Sequence, residues 1–140
     1  GDLNWNRIVP DTIKALVEDR APVIRSDGKF VRDYLYVEDA AEGYLRLAER
    51  TNDADVRGQA FNISTGERAT VLEVVGKLIE IHGKPVEPQI LNTAKAEIRE
   101  QHLDSAKALR VLGFRTKHNL GEGLKKSYDW YTRHLAEKRR

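Results

Sequence analysis

The chain of 140 residues contains no cysteine and no methionine. Without thiols there is no disulfide framework, no thiolate metal site and no cysteine nucleophile, and a cytoplasmic setting is expected. An excess of one charge is also missing. Lys and Arg number 24 against 22 Asp and Glu, a formal net charge of +2, whereas a nucleic-acid binder carries a one-sided basic footprint. Only the tail Lys138-Arg139-Arg140 is locally basic. No apolar run approaches the roughly 18 residues of a membrane span, and the first residues lack the basic-then-apolar layout of a signal peptide. Neither nucleic acid nor a membrane is therefore expected as a partner. Beginning Gly1-Asp2-Leu3 without methionine, the chain is expected to be part of a longer polypeptide.

Several chemical signatures are missing too. No GxGxxG or GxxGxxG loop occurs, and none of Tyr34, Tyr36, Tyr44, Tyr128 and Tyr131 is followed four residues later by lysine. The chain thus carries neither a dinucleotide phosphate loop nor a Tyr-xxx-Lys proton-transfer pair. Gly121 to Ser127 has glycines and a Lys-Lys-Ser run, but no glycine directly before a Lys-Ser pair. His82, His102, His118 and His134 have no metal-ligand spacing and read as solvent-exposed or capping groups. Glu38 and Asp39, about 100° apart on a helix, suit a helix start better than a catalytic carboxylate pair.

What is present describes one globular α/β domain with 40% hydrophobic residues. Val9, Ile13, Leu16 and Val17 have helical spacing around Pro10, predicting a helix over about 11–20. Pro22 then forces an extended exit into a strand Val23-Ile24-Arg25. Ser26-Asp27-Gly28-Lys29 is a turn whose Asp-Gly pair takes positive backbone angles readily. Residues 30–36 read as extended. Val37, Ala40, Ala41, Tyr44, Leu45 and Ala48 form one apolar stripe, the clearest helix in the chain. A strand is predicted over 59–63. Thr70 with Glu73, and Asn119 with Glu122, are capping-box patterns opening helices through about Ile81 and across Leu120 to Leu135. Residues 84–103 read as extended or irregular, followed by a short helix capped by Asp104 and stopped at Gly113. The strands are too few for a conventional sheet.

Four residues hold the most chemical interest. Val23 and Arg25, two apart on a strand, share a face on which an apolar side chain and a planar guanidinium can sandwich a base. Arg32 offers a fork of donors suited to a phosphate, and Asn62 is an amide that needs a partner within an apolar strand. On physical grounds alone a surface arginine pair and a backbone-satisfied amide are the favoured reading of these four positions.

The runs Asn4-Trp5-Asn6-Arg7-Ile8-Val9-Pro10-Asp11, Pro22-Val23-Ile24-Arg25-Ser26-Asp27-Gly28 and Val31-Arg32-Asp33-Tyr34-Leu35-Tyr36-Val37-Glu38-Asp39-Ala40 resemble the extended short-chain dehydrogenase/reductase family. Phe61-Asn62-Ile63-Ser64-Thr65-Gly66, Leu103-Asp104-Ser105-Ala106-Lys107-Ala108 and Glu122-Gly123-Leu124-Lys125-Lys126 continue the resemblance in the same order. Within the family the nucleotide-sugar 4,6-dehydratases are most similar, those acting on CDP-glucose above all. The resemblance implies that residues 1–140 are the C-terminal, substrate-binding domain of a Rossmann-type enzyme, a lyase, built of helices and short strands. NAD is then bound by an N-terminal domain, with no cofactor in this chain.

It also implies roles for particular residues. The positions of Val23 and Arg25 line the base, and those of Arg32 and Asn62 reach phosphate or ribose. The main chain at Arg7 and Ile8 lies near the pyrophosphate and sugar, Arg99 is the candidate for a further phosphate contact, and Trp5 approaches the sugar. The implied reaction oxidises the hexose at C4, eliminates water across C5 and C6 and returns hydride to C6. Its catalytic groups lie upstream, so this portion binds and orients a nucleotide-diphosphate sugar such as CDP-glucose and is inactive alone. The strand over 61–63 is expected to join a sheet supplied upstream, leaving an edge that favours a homo-oligomer. Two alternatives stay open: a portion of a related epimerase, or a stand-alone nucleotide-binding or interaction module without catalysis.

Overall fold

The computed structural model describes residues 2–94 and 97–138. The last two residues of the basic tail, and residues 95 and 96 of the irregular stretch, lie outside the described residues. Helix α1 spans Ile8–Val17, three residues earlier than the expected 11–20. Pro10 fits there because first-turn N–H groups have no intrahelical acceptor in any case. The helix ends before Arg20 because Asp19 turns into the left-handed region at φ 50.

Strand β1, Val23–Ile24, is shorter than expected and lies in parallel against β4, Gln89–Ile90. The turn after it is built as its sequence dictates. Ser26 Oγ accepts Gly28 N, Asp27 Oδ1 accepts Lys29 N, and Gly28 sits at φ 79. Strand β2, Val31–Asp33, is the centre of a three-stranded sheet. It runs antiparallel to β3, Arg68–Thr70, and parallel to β5, Glu100–Gln101. No alternation signals the short strands β3, β4 and β5; their pairings are long-range.

The two capping boxes form as the sequence predicts. Helix α3, Val71–His82, starts with Thr70 and Glu73 bonded reciprocally and ends on a left-handed Gly83. Two of its first main-chain donors find Phe30 O and Gly28 O, docking the helix on the preceding turn. Helix α5, Leu120–Glu137, starts with the Asn119 and Glu122 box. Between them lies α4, Ala106–Leu112, whose N-cap is Ser105 rather than Asp104. Asp104 still serves the helix start, its Oδ1 accepting Ala106 N at 2.8 Å. The strand expected over 59–63 does not form, because no neighbouring strand offers its backbone a ladder within the described residues.

Ile13 and Leu16 of α1, Ala69 of β3, Val74 and Leu78 of α3, and Leu124 and Tyr131 of α5 make the main core. A second cluster of Val56, Ala108, Leu112 and Phe114 gathers Leu47, Phe61 and Ile63 around α4. Helix α2, Val37–Glu49, faces this cluster in an unexpected way. Its apolar stripe points away from the chain, leaving Val37, Tyr44 and Leu45 more than half exposed. The face that packs carries Asp39, Gly43, Arg46 and Arg50. A Cβ on Gly43 would meet Ile63 at 3.0 Å. Arg46 donates to the carbonyls of Leu112 and Gly113, and Arg50 to that of Val111. Cations thus meet the negative end of α4, an electrostatic attachment that overrides the hydrophobic pattern. Among the described residues no helix is long and apolar enough to cross a membrane.

Candidate functional site

The site grows from the alternation of strand β2. Phe30, Arg32 and Tyr34 share one face, and the residue opposite Arg32 across the ladder is the core residue Ala69. That face is turned inward. On the other face Asp33 accepts hydrogen bonds from Ser64 Oγ, Thr65 Oγ1 and Leu103 N, pinning two loops to the strand. A cleft of about 910 Å3 opens beyond Arg32, between the start of α1, the segment 34–38 and α5. Arg7 and Ile8 line it with Arg32, while Tyr34, Tyr36, Trp130 and Tyr131 make its aromatic walls.

Arg32 is a half-buried cation whose nearest carboxylate, Glu97, is 3.9 Å away. Its Nη1 donates to the neighbouring Val31 carbonyl at 2.8 Å, and its guanidinium stands 5.8 Å from the Phe30 ring centre. Arg32 thus lines the cleft without a closer anionic partner among the described residues, a disposition that suits a phosphate. Arg7 is more exposed and pairs with Asp2 at 2.9 Å. Burial pushes the Tyr34 and Tyr131 phenols above their ordinary range, Arg32 working the other way on Tyr34, so both stay neutral donors. Tyr131 spends its hydroxyl on the carbonyl of Asp2 at 2.6 Å.

Behind the lining residue His118, Asp39 is buried, its Oδ1 accepting Lys117 N at 2.9 Å and its Oδ2 His118 N at 3.2 Å. Nδ1 of His118 lies 3.2 Å from the same Oδ2, and its ring meets Tyr36 edge-on at 4.9 Å. Lys126 donates to Glu38 at 2.9 Å, holding that carboxyl below its usual range. Asp39 is thus structural, as the sequence suggests. The histidines differ from expectation: His82 bonds the Tyr128 hydroxyl, His134 stacks on Trp130, and His118 is half-buried. Only His102 is exposed, and there Nη2 of Arg68 reaches its Nε2 at 2.9 Å. Among the described residues no group of three acidic or histidine side chains is placed to hold a metal ion.

The remaining sequence-predicted residues are not among those that line this cleft. Val23 is half-buried in β1 opposite Gln89. Arg25 is exposed and donates to Asn6 Oδ1 at 3.3 Å, beside Arg7. Asn62 is exposed, its Nδ2 donating to the Asp104 carbonyl at 3.2 Å. The carbonyl of Arg99 accepts Val31 N at 2.8 Å, which sets Arg99 alongside the strand of Arg32. Trp5 packs edge-on against Tyr131 beneath Lys14. Val23 and Arg32 thus stand on strands of two different sheets, and of Val23, Arg25, Arg32 and Asn62 the cleft lining includes Arg32. Tyr34 was detectable in the sequence, two positions from Arg32 in an extended run. His118 was not, since its partner Asp39 is 79 residues away.

Residues 1–64 match the NAD dependent epimerase/dehydratase family. Over 128 residues the chain is 30% identical to a trifunctional UDP-glucose 4,6-dehydratase/UDP-4-keto-6-deoxy-D-glucose 3,5-epimerase/UDP-4-keto-L-rhamnose-reductase of Arabidopsis thaliana, spanning 90% of this chain and 18% of that protein. The crystal structure of UDP-glucose 4-epimerase from Thermotoga maritima with UDP-glucose superposes with a TM-score of 0.79 at 32% identity, over 92% of this chain and 40% of that one. UDP-glucuronic acid 4-epimerase from Bacillus cereus, in complex with UDP-glucuronic acid and NAD, gives 0.83 at 27% identity, over 94% and 41%. The α/β fold is that of a portion of these Rossmann-type enzymes, and the chain spans less than half the length of each.

Proposed function

We infer that this chain belongs to the NAD-dependent epimerase/dehydratase family and supplies the nucleotide-sugar-binding surface of an enzyme in that family. The observation that carries the reading is the cleft in which Arg7, Ile8 and a thinly partnered Arg32 stand among aromatic walls. A forked cation orients a diphosphate, and flat apolar surfaces suit a base or sugar ring. The role of the chain is to hold the hexose in place for chemistry performed by other groups.

NAD is bound by solved neighbours of this chain. The described residues include no GxGxxG loop of the kind that holds a dinucleotide pyrophosphate. Helices α1 and α2 carry no glycine in their first turn, and Gly123 of α5 packs against Tyr36, where a Cβ would come within 3.1 Å. No step through the cofactor is therefore assigned to this chain. Of the two reactions, 4,6-dehydration of a nucleotide-linked glucose, CDP-glucose in the reading by resemblance, is supported by the 4,6-dehydratase among its relatives. The alternative, epimerisation of a UDP-hexose, is supported by the 4-epimerases among its relatives.

Calorimetric titration with CDP, CDP-glucose, UDP and UDP-glucose tests the reading. Binding of at least one pair is expected, and Arg32→Ala should weaken it by roughly 1.5 to 3 kcal/mol, the scale of a hydrogen bond to a charged group. Unchanged affinity in a variant of normal thermal stability would remove Arg32 from the site.

A further inference from the structure

We propose that Asp2 is a positioning residue for Arg7, fixing its guanidinium so that the Nη groups serve as a ready fork for a diphosphate in the cleft. The proposal rests on the nucleotide-sugar reading above. Arg7 and Asp2 both line the cleft, and Nε of Arg7 lies 2.9 Å from Oδ2 of Asp2. The Arg7 side chain has no other partner among the described residues. The carboxylate therefore sits against the Nε edge, and the Nη donors bond no acceptor there.

An exposed ion pair by itself orders little, because two side chains have to be fixed at once. In this pair one of the two is already fixed. Oδ1 of Asp2 accepts Asn4 N at 2.9 Å, and the Asp2 carbonyl accepts the Tyr131 hydroxyl at 2.6 Å. Tyr131 belongs to the main core and also meets Trp5 edge-on at 5.8 Å. At the other end of the segment, Arg7 N donates to Asn4 O at 3.1 Å, and Arg7 is the N-cap of α1, whose Ile13 and Leu16 are core residues. Residues 2–7 thus form a turn closed on itself and tied to two helices. Its carboxylate stands at a set place, and only the Arg7 side chain has to be ordered against it. A cation held this way loses less freedom when it grips a phosphate.

The charge of Asp2 gives the test its sign. A carboxylate in the cleft repels an anion, so a bystander Asp2 would weaken diphosphate binding and its neutralisation would strengthen it. A positioning Asp2 gives the opposite result. The 140-residue chain is titrated calorimetrically with inorganic pyrophosphate, CDP and UDP at fixed ionic strength. Asp2→Asn, which keeps a side-chain acceptor for Asn4 N, is expected to bind at least about threefold more weakly every ligand that the wild type binds, the loss from leaving one long side chain to be ordered on binding. In an Arg7→Ala background the same change should cause no loss, since no guanidinium is left to position. Unchanged or tighter binding by Asp2→Asn, or an equal loss in the Arg7→Ala background, overturns the proposal while leaving Arg32 in the site. If none of the three ligands binds the wild type, the reading of the cleft falls and this proposal with it. Nitrogen relaxation of the Arg7 side chain gives an independent readout in the free chain. Its Nε–H is expected to be ordered in the wild type, with an order parameter above about 0.6, and to fall below that value in Asp2→Asn. A mobile Nε–H in the wild type overturns the proposal whatever binds in the cleft.

Discussion

Gly28 and Thr70 show how single residues fix the frame on which the cleft is built. Gly28 sits at φ 79, and a Cβ there would meet Cγ of Leu72 at 2.5 Å. Gly28→Ala is therefore opposed twice, by backbone strain and by the start of α3. It should lower stability by more than about 1 kcal/mol, read as a shift in the urea midpoint. Thr70→Ala removes a cap and should cost about 1 kcal/mol by the same measurement. The box also carries a pH signature. Bonds from the Thr70 N–H and hydroxyl hold the Glu73 carboxyl below its usual range. A depressed carboxyl contributes stability that is fully present above its unfolded pKa and is lost as the pH falls through the folded one. The loss of stability on acidification should thus be smaller in Glu73→Gln than in the wild type, with the two curves separating across and below the ordinary carboxylate range. The turn and both boxes were legible because each is a contract between residues two or three positions apart. Arg32 and Tyr34 were legible as a pair by strand alternation. The Asp39 and His118 contact was not, because no local rule links positions that far apart.

At the scale of elements, α2 is the clearest case of a pattern read correctly and placed wrongly. Its stripe from Val37 to Ala48 has helical period, and the helix forms where the stripe lies. Periodicity identifies an apolar face but does not name what covers it. In this chain the inward face is chosen by Asp39, Gly43, Arg46 and Arg50, and Tyr44 and Leu45 are left 75% and 61% exposed. Segment 59–63 shares the situation. Ile63 touches Gly43, Phe61 packs beneath Lys107, and the backbone finds no ladder within the described residues. Strand propensity alone does not make a strand without a neighbour. An exposed apolar helix face beside an unpaired extended segment favours association of the isolated chain with itself. Light scattering should show a mass that rises with concentration, and Leu45→Lys should reduce that rise with little change in thermal midpoint. A strictly monomeric wild type at all concentrations would contradict the argument.

At the scale of the whole chain, the proposed function assigns it binding and not chemistry. Its cations and aromatic walls can hold a substrate, and the described residues offer no glycine loop for a dinucleotide and no Tyr-xxx-Lys pair for proton transfer. Hydride chemistry needs the cofactor ring and the hexose in register, with a positioned acid and base. Binding alone supplies none of these. The 140-residue chain, incubated with NAD and either CDP-glucose or UDP-glucose, is therefore expected to give neither a 4-keto-6-deoxy product nor a 4-epimer. Product analysis by chromatography and proton NMR provides the measurement, with a full-length family enzyme as the positive control. Turnover by the purified chain would mean that groups within these 140 residues activate the hexose, and the first variants to examine would then be those of Tyr34 and Tyr36, whose phenols line the cleft. Absence of turnover together with retained nucleotide-sugar binding would separate the two functions, leaving Arg7 and Arg32 as the binding groups.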